Sequence, residues 1–159
     1  MLDLSLFNPT AKRIGFDIYK FYRTKDWTSN GFWCLKSIYE PKWMSVLKND
    51  KTHLNNKAVQ RVVKDAQFGV DYTKDEVHPT NRLVTAANVI SVRMRKETDR
   101  TFQSWLNIYY FSFFKKIFAK KFINVKYYQA DELKPVIVKS GEDIVGLIMP
   151  MRYDPMNDE

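Results

Sequence analysis

Few side chains in this 159-residue chain could do chemistry unaided. It holds one cysteine, Cys34, and two histidines, His53 and His78. No Cys or His stands at metal-ligand spacing from either histidine, which argues against a zinc site. Cys34 sits in "GFWCLK" between Trp33 and Leu35, with no His or acid in a supporting motif. It reads as a packed thiol rather than a nucleophile. A single cysteine also excludes an intrachain disulfide framework. Asp71, Asp75 and Glu76 gather near His78, the one acidic group that a metal-dependent nuclease could use. Acids in a loop are more often simply solvated. Ser-His-Asp, Walker and dinucleotide motifs are missing. The expectation is therefore a protein without catalytic residues, bound metal or cofactor.

What remains is binding chemistry, and charge leads it. Lys and Arg number 26 against 18 Asp and Glu, giving a net charge of +8. Such a balance makes a polyanion the first partner to consider, although mildly basic proteins without one are common. Two basic clusters lie at helical spacing. In "HLNNKAVQRVVKDAQ", Leu54, Ala58, Val62 and Ala66 recur every four residues, and Lys57, Arg61 and Lys64 fall on the opposite face. In "YYFSFFKKIFAKKF", Phe113, Phe114, Ile117 and Phe118 supply a core side, and Lys115, Lys116 and Lys120 the other. Both faces are expected to meet DNA phosphates without reading sequence. A merely solvated helix face is the plain alternative.

These faces need elements to hold them. Apolar residues make up 45% and aromatics 15%, enough for an aromatic-rich core, and Gly is scarce at 5. The most apolar window, "WLNIYYFSFFKKIF", is broken by Lys115 and Lys116 short of a membrane span. The first residues lack a charged start followed by a long apolar run. A cytoplasmic protein is expected, with no membrane partner.

Residues 1–13 read as a tail or a short entry segment, and Ile14 to Arg23 as a strand. "TSNG", Thr28 to Gly31, reads as a hairpin turn followed by a returning strand in "FWCLKSIY". "EPKWMSVLKND" predicts a short helix opened by Pro41. A helix spans the "HLNNKAVQRVVKDAQ" stretch. A loop surrounds Pro79, with strand character at Phe68 to Tyr72. "RLVTAANVISVRMRKE" gives one or two strands, and "FQSWLNIYY" is open between strand and helix. A second helix runs from Tyr110 to about Ala119. "INVKYY", "KPVIVKS" and "IVGLIMP" are strands, with a turn at Ser140 to Asp143. This order predicts an α+β domain over 14–153, of mostly antiparallel sheet with two principal helices on one face, and a tail at 154–159.

The terminal strand closes on Met149, Pro150, Met151 and Arg152, where Pro follows the last paired residue and Met offers adaptable apolar surface. "LKPVIVKSGEDIVGLIMPMR", Leu133 to Arg152, resembles the end of the bacterial DNA polymerase sliding clamp (the β subunit), which closes on "MPMR" or "LPVR". "FFKKIFAKKFINVKYYQAD" resembles that family's penultimate helix and strand. "TSNGFWCLK" is similar to its "TDGHRL" hairpin, but Asn30, Phe32 and Trp33 stand where the family has Asp, His and Arg. The likeness covers about residues 110–152, with an echo at 28–36. A clamp chain strings several such domains together, and this chain holds one.

The resemblance implies two antiparallel sheets with two helices lining a ring around DNA. It also implies a pocket on the terminal strand that takes short peptides from replication and repair proteins. Ile148, Met149, Pro150, Met151 and Arg152 would line that pocket. The expectation is a non-enzymatic, clamp-like protein, binding DNA or client proteins and self-associating if it forms a ring. Richness in Lys, Asn, Tyr and Phe points to a phage or other mobile element. The alternative is a small accessory or inhibitor protein that blocks a host replication or defence complex as a monomer or dimer.

Overall fold

The computed structural model describes residues 2–10, 12–14, 21–45 and 55–152. Within them the chain forms β1 (Tyr22–Arg23), β2 (Trp27–Ser29), β3 (Trp33–Lys36), α1 (Lys42–Ser45) and α2 (Asn56–Gln67). There follow β4 (Val77–Ala86), β5 (Val89–Lys96), β6 (Asp99–Asn107), α3 (Ile108–Lys120), β7 (Lys126–Tyr128), β8 (Val136–Ser140) and β9 (Asp143–Ile148). The strands make two antiparallel sheets. One has six strands in the order β1-β2-β3-β9-β8-β7, and the other has three in the order β4-β5-β6. The fold is α+β with mostly antiparallel sheet.

Local chemistry explains most boundaries. The Asn55 side chain accepts from the Ala58 amide at 2.8 Å and starts α2. Asn107 does the same for Tyr109 at 2.9 Å, which turns the ambiguous "FQSWLNIYY" from strand into helix at one residue. The β4–β5 hairpin turns on Ala87 and Asn88, with φ of 52° and 64°, the paired positive values of a two-residue turn. Pro79 lies inside β4 rather than in a loop, because β4 is an edge strand where a missing N–H is harmless. Phe68 to Tyr72 is turn and coil, not strand. Of the strand expected at Ile14 to Arg23, Ile14 lies in a turn and β1 keeps Tyr22–Arg23. Residues 15–20 are outside the described residues, as are Leu54, the end of the "EPKWMSVLKND" helix and the tail at 154–159.

The helices do not share a face. Along β3, β8 and β9, side chains alternate between two apolar clusters. Cys34, Ile137 and Leu147 meet Val59, Val63 and Ala66 of α2. Trp33, Leu35, Val136, Val138 and Ile148 meet Phe111, Phe113, Phe114 and Phe118 of α3. The period of two along each strand therefore sends α2 and α3 to opposite sides of the six-stranded sheet. The second cluster also takes Val92, Met94, Phe102 and Leu106 from the three-stranded sheet, so α3 packs against both sheets. This explains its near-continuous apolar sequence. Gly146 lets it approach: a Cβ there would run into the Phe114 ring and come within 2.8 Å of the Cys34 carbonyl. Of the two readings of the N-terminal stretch, its described residues suit the short entry segment. It forms a single turn at Leu4–Leu6, and Leu2, Leu4 and Phe7 pack on the core.

Candidate functional site

The turn in "TSNG" is held by its own side chains. Asn30 accepts from the Phe32 and Trp33 amides at 2.8 and 2.9 Å, and Ser29 donates to the Trp33 carbonyl at 2.7 Å. Gly31 adopts φ 95°, which a side chain would resist. The turn therefore carries Phe32 outward at 61% exposure. Beside it, β9 pairs with β3, and the Met149 amide extends the ladder to the Phe32 carbonyl at 2.8 Å. Two segments more than a hundred residues apart in sequence thus meet at one end of the sheet.

Between them and α2 opens an apolar groove of about 110 Å³. Buried Cys34 and Leu147 form its floor, Val59 and Val62 come from α2, and Gly31, Phe32 and Met149 line it beside Ser29 and Trp33. Met149 is 37% exposed and Val62 50% exposed. The buried stripe of α2 is Val59, Val63 and Ala66, so the expected stripe through Ala58 and Val62 is rotated by one position. That rotation leaves Val62 free to line the groove. Cys34 is a buried, packed thiol, and burial pushes it up to about 12, against a smaller opposing pull from the Leu147 backbone.

The five residues expected at the terminal pocket part company. Ile148 is fully buried in the α3 cluster and cannot line an open pocket, because alternation places it opposite Leu147 and Met149. Met149 lines the groove. After Pro150 the chain leaves the larger sheet, and the Met151 amide donates to the Trp105 carbonyl of β6 at 2.7 Å. Pro150 thus stands where the chain crosses between sheets, and Met151 serves that bridge. Arg152 is exposed. Phe32, Val59, Val62 and Leu147 line the groove although the sequence reading placed none of them in a pocket. The signals for them lay in three separate stretches, "TSNGFWCLK" for Phe32, the α2 repeat for Val59 and Val62, and "IVGLIMP" for Leu147.

Lys57, Arg61, Lys64, Lys115 and Lys120 are exposed, and Lys116 is half-buried. None of the six makes a salt bridge among the described residues. Because α2 and α3 lie on opposite sides of the sheet, these cations form two separate surfaces rather than one.

The acidic group is occupied structurally. Buried Lys96 reaches Asp75 at 3.0 Å and the Gln129 and Ala130 carbonyls at 2.8 and 3.3 Å. Asp71 accepts from the amide and hydroxyl of Thr73, whose hydrogen bonds hold its carboxyl below the usual carboxylate value. Glu76 lies 3.3 Å from His78 and 3.9 Å from Lys126. His53 lies outside the described residues. No group of His, Cys, Asp and Glu suited to a metal occurs among the described residues, and no helix there is long and apolar enough to cross a membrane. Compared with known proteins, the chain matches no protein-family model, no curated protein and no solved structure.

Proposed function

We propose that this is a non-enzymatic binding protein that seats a short apolar segment of a partner protein in the groove between the β2–β3 turn, Met149 and α2. The observation that carries this reading is the groove itself: a turn built to expose Phe32, set against Met149 and Val62, over an apolar floor. An apolar cavity of about 150 Å³ accepts a benzene-sized group, so the 110 Å³ here suits one branched aliphatic side chain. Burying such an anchor is worth about 1.5–3 kcal/mol, and the rest of a useful affinity would come from contacts along the peptide backbone. A net charge of +8 and exposed Arg152 favour a segment that also carries an acid.

The clamp resemblance agrees with this reading on one point. The likeness covers about residues 110–152 with an echo at 28–36, and both parts contribute to the same groove, through Leu147 and Met149 and through Gly31 and Phe32. Replication, repair or defence proteins are then the partner class, in a cytoplasmic phage or mobile-element setting. An inhibitor that occupies a host complex as a monomer or dimer uses the same groove. DNA binding is the second reading, favoured by the unpaired cations of α2 and α3. With those cations on opposite sides of the sheet, a duplex would meet one surface at a time.

The test is a selection of displayed random peptides on the wild-type protein, counter-selected on Val62→Asp. Peptides with an apolar anchor that bind wild type and lose at least about tenfold on Val62→Asp support the groove. Peptides that bind both proteins equally, or no enrichment at all, contradict it.

A further inference from the structure

The three-stranded sheet is short but irregular in a directed way. Its central strand, β5, is flanked by a bulge on each side. Thr80 to Arg82 of β4 crowd opposite Arg93, between the pairs Pro79–Met94 and Leu83–Val92. Arg100 to Gln103 of β6 crowd opposite Arg95, between Met94–Ser104 and Lys96–Asp99. Bulges re-aim side chains and concentrate near functional sites. Here they frame a cleft of about 400 Å³ lined by Thr80, Arg93, Arg95 and Arg100, with Glu97 and Asp99.

The charges in the cleft are only partly spent. Glu97 takes Arg95 at 3.6 Å. Asp99 is turned to the amide and hydroxyl of Thr101, at 3.0 and 2.7 Å. The Thr80 hydroxyl donates to the Arg93 carbonyl at 2.9 Å, which pins the bulge beside Arg93. The Nε of Arg93 is buried with no hydrogen-bond partner among the described residues. Arg100 makes no salt bridge there either. A buried donor without a partner is costly, and native proteins seldom leave one so.

We propose that this cleft is a phosphate-binding site, with Arg93 and Arg100 as its principal donors and Arg95 as a third. Guanidinium groups match the planar, multidentate demands of phosphate oxygens, and a small side-chain shift that opens the buried Nε–H of Arg93 to the cleft would give it the partner it lacks. The phosphate belongs to a small molecule or to a nucleic-acid backbone, which present the same oxygens. The site is independent of the peptide groove, shares no residue with it, and stands or falls separately.

The arginine Nε–H signals of the full chain report on the site directly by NMR. Inorganic pyrophosphate is titrated in low salt, then a short oligothymidine, with sodium chloride at matched ionic strength as reference. The expected result is a saturable shift of the Arg93 Nε–H signal with at least one phosphate probe, weakened at least about tenfold in Arg100→Gln. Saturation by pyrophosphate alone identifies a small phosphate as the source, and saturation by the oligonucleotide identifies the backbone. Arg95→Gln, at an exposed position, gives a second variant if Arg100→Gln unfolds, with the same sign of effect. An Arg93 signal that moves no more with either probe than with chloride would overturn the proposal. So would equal titrations of wild type and both variants.

Discussion

At the scale of single residues, two buried groups decide how the molecule responds to solvent and to mutation. Cys34 keeps its proton in the folded state to about 12, whereas the unfolded thiol titrates near 9.0. The unfolded chain therefore loses that proton first, and stability falls as pH rises from about 9 towards 12. Burial raises the Tyr127 hydroxyl in the same direction and adds to the loss. Denaturant midpoints across this range should decline, and less steeply in Cys34→Ala. The native thiol should label slowly at neutral pH and rapidly after unfolding. Lys96 is the second group. Asp75→Ala would leave its ammonium buried against two carbonyls without its counter-ion, at a cost of about 3–5 kcal/mol. Urea unfolding measures this, and a change under 1 kcal/mol would mean that water reaches Lys96.

At the scale of elements, the sequence was legible where local chemistry set the outcome. The "TSNG" and Ser140 to Asp143 turns, the β7, β8 and β9 strands and both main helices follow from turn residues, caps and periodicity. The faces were less legible. The α2 stripe was displaced by one position, because Ala58 and Val62 repeat as regularly as Val59 and Val63 do. The four-residue repeat therefore does not say which set faces the sheet. The side on which each helix packs was hidden as well, since strands buried on both faces read as continuous apolar runs. The sheet tolerates α3 only because position 146 lacks a side chain. Gly146→Ala should cost about 1–3 kcal/mol, as either the Phe114 ring or the β3 backbone must move. An unchanged melting temperature would contradict this packing. Lys57→Glu with Arg61→Glu should leave the melting temperature unchanged, since both residues are solvated. Under the DNA reading it should also weaken binding and flatten the salt dependence by about one to two units of log-log slope. Loss of folding would instead give those cations a structural role.

At the scale of the whole molecule, the chain order brings together what the sequence keeps apart. β9 is the last strand among the described residues, yet it lies in the middle of the larger sheet beside β3. That long-range pairing creates the groove, and no local pattern announces it. It also sorts the terminal residues into a core residue, Ile148, a groove residue, Met149, and a bridge to the second sheet through Pro150 and Met151. A ring lined by both helices would need them on one side of the sheet, and their opposite placement gives the molecule two separate basic surfaces instead. The most direct test of the groove is an amide chemical-shift titration with a peptide enriched in the selection described above. A peptide seated in the groove should give shifts confined to Gly31, Phe32, Val59, Val62, Leu147 and Met149, lost in Met149→Ala with Val62→Asp and retained in Met151→Ala. Shifts clustered on another face, with these six signals unmoved, would contradict that seating.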